Sequence, residues 1–257
     1  MRKIILIFLF ILFFAGLATL VFGFYNAGNI RHFAVSAEAL NAKYDGALRL
    51  KEVEKNYQKS GTRDVLQLKV ESENFISKLD EMAASAESAT REIDQLNIPL
   101  TEMGIKKEMK DYYTKAGTQI RDAKNISEFR KQIFEVAVIF GKIKEDVALD
   151  EMKNLIAEAK QENAKVDASR LPKNLRENGQ ALNDAMDKFL VEMENVAGGS
   201  IENPDQLNEA YAEFSAKEDE FSVNSRGFIN SLEDLKPLQD KIRADLAGIE
   251  KIYFKIK

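Results

Sequence analysis

Apolar residues recur in alternating steps of three and four along most of this chain, the period of about 3.5 residues that lets helices pack lengthwise in a left-handed supercoil. Seams run through Ile30, Phe33, Ala37, Leu40, Tyr44 and Ala47, through Phe75, Leu79, Met82, Ala86, Ala89, Ile93 and Leu96, and through Met109, Tyr113, Ala116, Ile120 and Ala123. They resume at Phe129, Ile133, Val136, Phe140, Ile143 and Val147, at Leu182, Met186, Phe189, Met193 and Val196, and at Leu207, Tyr211, Phe214, Phe221, Phe228, Leu232 and Leu235. A last seam joins Leu238, Ile242, Leu246, Ile249, Tyr253 and Ile256. Strands have no comparable support: period-2 alternation is not sustained, and 13 Gly and 4 Pro are few for 257 residues. The body is expected to be all-α, an elongated antiparallel bundle of coiled-coil character.

Punctuation falls between the seams, at Ser60-Gly61, Asn97-Ile98-Pro99, Asn125-Ile126-Ser127-Glu128, Leu171-Pro172, Gly198 to Pro204 and Lys236-Pro237. Proline starts helices but breaks their interiors and pushes the preceding residue out of helical geometry. Ser127 and Asn203 have the side chains of N-caps. Residues 75–125 also align on 148–198 at a fixed offset of 73, which sets Leu79 on Met152, Ile93 on Val166, Pro99 on Pro172, Met109 on Leu182 and Tyr113 on Met186. A repeated helix-proline-helix unit follows, with one bundle module over 61–147 and a second over 148–257. Between Phe129 and Val166 the stripe stops at Val147 and restarts at Leu149, so one long helix is expected to turn a different face to each module.

The first residues obey another rule. From Ile4 to Tyr25 the chain is apolar and uncharged, preceded by Arg2 and Lys3. As a helix those 22 positions extend roughly 33 Å, enough for a bilayer's ~30 Å hydrocarbon layer. Gly16-Leu17-Ala18 resembles a signal-peptidase site, but a cleaved signal has an apolar region of about 7–15 residues and this one runs on through Phe22 and Phe24. The reading is a single-span signal-anchor helix over 4–25, a cytoplasmic tail of residues 1–3, and a membrane-proximal helix over 26–60. Charge favours the amino terminus inside and the body outside the cytoplasm, the inverse being the alternative, since Arg31 and Lys43 oppose Arg2 and Lys3.

Of 37 basic and 42 acidic side chains, only Arg2 and Lys3 precede residue 26, so the body is mildly acidic with both signs interspersed. Nucleic acid asks for a basic stripe instead. The chain has no cysteine, hence no disulfide, thiolate zinc site or iron–sulfur cluster. His32 is the single histidine and lies off its seam, which removes Glu-x-x-His di-iron pairs and His-Glu-x-x-His zinc motifs. Gly198-Gly199 is a helix end rather than a phosphate loop, and Glu218-Asp219-Glu220 and Asp150-Glu151 lack the alternating oxygen ligands of a calcium loop. No catalytic, cofactor or metal residue is assigned. Asn125-Ile126-Ser127 has the form of a glycosylation sequon, though the same residues serve as a helix break.

Candidate ligand or partner contacts are Tyr112 and Tyr113, with Phe221 and Phe228 beside the polar seam positions Glu218 and Ser225. Polar seam residues either mark a cavity or set helix register. The chain is thus read as a non-enzymatic interaction or accessory module of the cell envelope, held by one span and docking a protein partner, with no cofactor and with its oligomeric state open. The alternative is an extracytoplasmic ligand sensor that signals through a separate membrane partner.

Overall fold

A computed structural model describes residues 25–44, 65–97, 102–143, 147–199 and 205–253, and it is all-helical, with no strand among them. Residues 25–44 form α1; then follow α2 (Val65–Gln95), α3 (Met103–Phe140), α4 (Leu149–Asn163), α5 (Arg176–Ala197), α6 (Asp205–Ser231) and α7 (Lys236–Tyr253). Two 3₁₀ turns, Ala168–Arg170 and Lys173–Leu175, join α4 to α5. The chain forms two compact units: residues up to 49 with 84–117 and 234–257, and residues 50–83 with 118–233. Among the described residues no helix is long and apolar enough to cross a membrane; the run Ile4–Tyr25 lies outside them except for Tyr25. Ala47, Ser60-Gly61, Pro99, Asn203 and Ile256 lie outside them too.

The first unit is built on α1, whose seam residues Ile30, Phe33, Ala37, Leu40 and Tyr44 are all buried. Ala86, Ala89 and Ile93 of α2, Met109, Tyr113 and Ala116 of α3, and Ile242, Leu246 and Ile249 of α7 supply the rest of this core. Small residues on α2 let its neighbours approach closely, while each large side chain removed from water contributes roughly 1.5–3 kcal/mol. Polar contacts then fix the register. Lys43 meets Glu92 at 2.6 Å and Lys110 meets Asp94 at 2.7 Å. Lys106 Nζ donates to the carbonyl oxygens of Asp94 and Leu96, satisfying the end of α2, where a cation also suits the helix dipole.

The second unit packs α5 against both α4 and α6 and takes in the later part of α3, where Ile120, Ile126, Phe129, Ile133 and Val136 are buried. Lys124 pairs with Asp80 and Lys131 with Glu73, so α2 and α3 run antiparallel here as well. Leu171 is extended (φ −61°, ψ 152°), as its place before Pro172 demands, and its buried side chain lies against Gly179 of α5. Arg176 Nε donates to Leu171 O, and Asp167 Oδ1 accepts from Ser169 N, so hydrogen bonds hold the connection between α4 and α5 in place.

Three local expectations are corrected. The long helix over Phe129–Val166 is instead two helices. α3 ends at Phe140, Lys142 N and Ile143 N donate to carbonyls three residues earlier, and α4 begins after the extended Ala148 with Asp150 and Glu151 in its first turn. Gly141 weakens a helix interior and acidic residues favour a helix start, so the shift of the stripe marks a break and not a turning face. Asn125–Glu128, by contrast, is no break, because α3 runs through it. Ser127 Oγ bonds to Ala123 O inside the helix instead of capping one, and the buried Ile126 stands three residues from each adjoining seam and joins them. Finally, the seam residues Leu149, Val196 and Tyr211 are exposed. In α6 the inward stripe passes through the small Ala210, and Tyr211 turns outward, its ring 5.5 Å from that of Phe189.

Candidate functional site

In the second unit α3 turns two adjacent stripes inward, one through Phe129 and Ile133 and one through Phe134 and Ala137, where a strict heptad seam would present one. Leu182 of α5 and Phe214 and Phe221 of α6 cover part of this wide face, and a cavity of about 330 Å³ remains. That volume lies at the small end of the roughly 300–1,000 Å³ typical of ligand pockets. Phe129, Ile133, Leu182, Phe214 and Phe221 are buried, and the Phe129 and Phe221 rings lie 4.9 Å apart at 50°. Ser72, Arg130, Lys131, Glu218 and Ser222 supply its polar margin.

Arg130 fastens that margin. Its Nη2 donates to Ser225 Oγ at 2.6 Å, and Ser225 is 1% exposed, so a cation on α3 holds a buried hydroxyl in the α6 seam. Ser225 Oγ also donates to Ser222 O. Lys131 sits between Glu73 (3.4 Å) and Glu135 (3.6 Å), which places both signs of charge beside the cavity. Such a site can take an apolar or aromatic body and offer cations and hydroxyls to a polar end. Among the described residues no group of three or more His, Cys, Asp or Glu side chains could hold a metal ion.

Of the sequence candidates, Phe221 lines this cavity together with Glu218, and Ser225 is tied to it through Arg130. Phe228 is half-buried further along α6 and does not line it. Tyr112 and Tyr113 belong to the other unit, where both are buried. The Tyr113 ring packs edge-on to Tyr112 (4.9 Å) and Tyr44 (6.2 Å), and its hydroxyl donates to the buried Asn41 Oδ1 at 3.2 Å. That arrangement sets helix register inside a buried core. Nearby, hydrogen bonds from Lys43 and then Tyr44 hold the Glu92 carboxyl below its ordinary range, and the same Glu92 raises Lys43. His32 is exposed, with Ser36 Oγ 3.5 Å from its Nδ1.

Arg130, Phe134 and Ala137 do not stand out in the sequence. The signal for them is the second apolar stripe beside Phe129 and Ile133, which a search for one narrow seam passes over. Compared with known proteins, the chain matches no family model, no curated protein and no solved structure.

Proposed function

We propose that this chain is a membrane-tethered helical bundle that serves as a non-enzymatic interaction module on the extracytoplasmic side of the cell envelope. The observation that carries the reading is the junction at Tyr25. The apolar run Ile4–Tyr25 leads directly into α1, whose seam is buried through Tyr44. A tether that adjoins a core helix in sequence keeps the first unit at the lipid, and confinement to the membrane raises the local concentration of any partner confined there too. The ion pairs along the helices, such as Lys160–Glu194 and Lys188–Glu213, suit a stiff, well-solvated docking surface. Carbonate extraction of vesicles carrying the full-length chain tests the tether, and the expected result is retention in the membrane pellet. Protease accessibility then tests the side, and crosslinking in native membranes the partner. Repeated recovery of the chain alone would refute the docking role.

The proposed modules, 61–147 and 148–257, derive from an internal duplication. Its support is that the offset of 73 makes Met103 equivalent to Arg176, the first residues of α3 and α5. Ala86 and Ala159, Ile93 and Val166, Met109 and Leu182, and Tyr113 and Met186 are buried in both copies. The copies have diverged at their ends, where Ala123 is 4% exposed and its counterpart Val196 42%.

The cavity beside Arg130 favours a second reading, a ligand-binding subunit that signals through a separate membrane partner. Thermal melting against a metabolite panel tests it, because a ligand that binds only the folded form raises the midpoint by mass action. A flat panel removes this reading and leaves the first untouched.

A further inference from the structure

Three charged side chains line the cavity in the second unit, and two of them are already engaged. Arg130 Nη2 lies 2.6 Å from Ser225 Oγ and 3.5 Å from Ser222 O, and Lys131 Nζ sits between the carboxylates of Glu73 and Glu135. An anionic ligand would have to draw one of these cations away. Moving Arg130 strips its donor from the hydroxyl of Ser225, a buried residue, and leaving a buried acceptor unmatched is a cost the new contact must first offset. Moving Lys131 releases two carboxylates beside the cavity, and both repel an anion.

Glu218 is different. It is exposed, it lines the cavity, and among the described residues no hydrogen bond or ion pair engages it. On α6 it stands four residues after Phe214, three before Phe221 and four before Ser222, spacings that put all four on one face of the helix. Its carboxylate is therefore set between two phenyl rings, with a serine hydroxyl on the same face. Opposite, α3 contributes Phe129 and Phe134. Other rings hold these walls before any ligand arrives: Phe129 and Phe221 lie 4.9 Å apart, and Phe214 stacks on Phe189 with 9° between the planes. Phenyl rings attract a cation through their negative faces, and burial of Phe129, Phe214 and Phe221 keeps water from weakening that attraction. With Glu73 and Glu135 included, three carboxylates face two cations around the opening.

We propose that the cavity takes a small organic cation, a protonated amine whose apolar body lies among Phe129, Phe134, Phe214 and Phe221 and whose ammonium meets Glu218. The proposal rests on the reading of the chain as a ligand-binding subunit and names the class of ligand. A volume of about 330 Å³ suits a single ring on a short alkyl chain. The three donors of an ammonium group match the carboxylate together with the hydroxyls of Ser72 and Ser222 at the margin.

Three probes share one apolar body and differ in the charge at its end: phenylbutylamine, which is protonated at neutral pH, phenylbutanol, and phenylpentanoate. Each is titrated calorimetrically into the full-length chain in nonionic micelles. Ala137→Leu, which projects carbons into the cavity, supplies the background from partition into the micelles. The expected order is amine, alcohol, acid, with the amine ahead of the alcohol by about tenfold, the combined effect of a carboxylate partner and aromatic faces at a partly exposed site. Glu218→Gln should bring the amine down to the level of the alcohol. Asp219→Asn, at an exposed neighbour that does not line the cavity, should leave the order unchanged. Alcohol or acid binding as tightly as the amine overturns the proposal and keeps the ligand-binding reading, and so does an amine preference that survives Glu218→Gln. No binding of any probe above the Ala137→Leu background overturns both.

Discussion

Gly179→Ala should destabilise the protein, although glycine to alanine inside a helix ordinarily stabilises by about 1 kcal/mol. A Cβ at Gly179 would stand 2.3 Å from Leu171 Cδ1 and 3.4 Å from both Ala168 Cβ and Phe129 Cζ. Carbon atoms prefer roughly 3.5–4.0 Å, so the Leu171 side chain would have to retreat by more than an ångström. It has little room, being 1% exposed. Its backbone is held too: Arg176 Nε donates to Leu171 O at 2.8 Å, and Leu171 N donates to Ala168 O at 3.2 Å. Overpacking of this kind costs about 1–3 kcal/mol, which outweighs the propensity gain and leaves a net loss of about 1 kcal/mol. Gly227 in α6 is the control, since a Cβ there meets nothing within 4 Å. Gly227→Ala should gain about 0.5–1 kcal/mol. Urea unfolding of both variants, followed by far-ultraviolet circular dichroism, should displace the midpoints in opposite directions. If Gly179→Ala matches or exceeds Gly227→Ala in stability, Leu171 is free to swing aside and the close approach of α5 to the 168–171 turn is not a packing constraint.

Tyr113→Phe takes the hydroxyl donor from buried Asn41 Oδ1 and should cost about 1–2 kcal/mol. Adding Asn41→Leu should recover much of that loss, and a double-mutant cycle measures the coupling. Glu92 has a folded-state pKa below its ordinary value, so its contribution is full above the unfolded carboxylate range and is lost as pH falls through the folded value. Glu92→Gln should therefore lower the urea midpoint at neutral pH, with the gap closing on acidification. Burial pushes Asp122 up, against the smaller pull of Arg121, so ionising it opposes folding at neutral pH. Asp122→Asn should accordingly raise the neutral-pH midpoint, and the difference should shrink as acid protonates the aspartate in both states. Ala137→Leu projects carbons into the cavity and should change stability by less than about 1 kcal/mol, whereas Ala159→Leu at a fully buried position should cost about 1–3 kcal/mol; paired melts compare them.

How far the sequence reaches depends on what each of its signals measures. Periodicity reports which face of a helix avoids water, and α1 shows it working without exception from Ile30 to Tyr44. Proline reports forbidden geometry, and Leu171 is extended ahead of Pro172 as that rule requires. Neither signal reports continuity. A two-residue shift of the stripe after Val147 is what a turning face would give and equally what two separate helices give. Only Gly141 and the acidic start at Asp150 and Glu151 speak for the break. Ser127 shows the same ambiguity from the other side, because a hydroxyl that can cap a helix can also bond to the carbonyl four residues back, and burial of Ile126 decides between them.

The cavity marks a further limit, since a seam tells which side chains face inward but not whether they fill the space. Phe221 and Glu218 stand out because a polar residue interrupts an apolar stripe. Arg130 does not, because its role depends on Ser225, which is 95 residues away in sequence and becomes a neighbour only when α6 packs on α3. An unfilled volume is a property of several helices at once: Ser72 on α2, the double stripe on α3, the single Leu182 from α5, and the spacing of Phe214 and Phe221 on α6. Here the volume lies where helix faces of unequal width meet. In a chain of narrow heptad seams, the place to look for binding is therefore where one helix carries more apolar surface than its partners can cover.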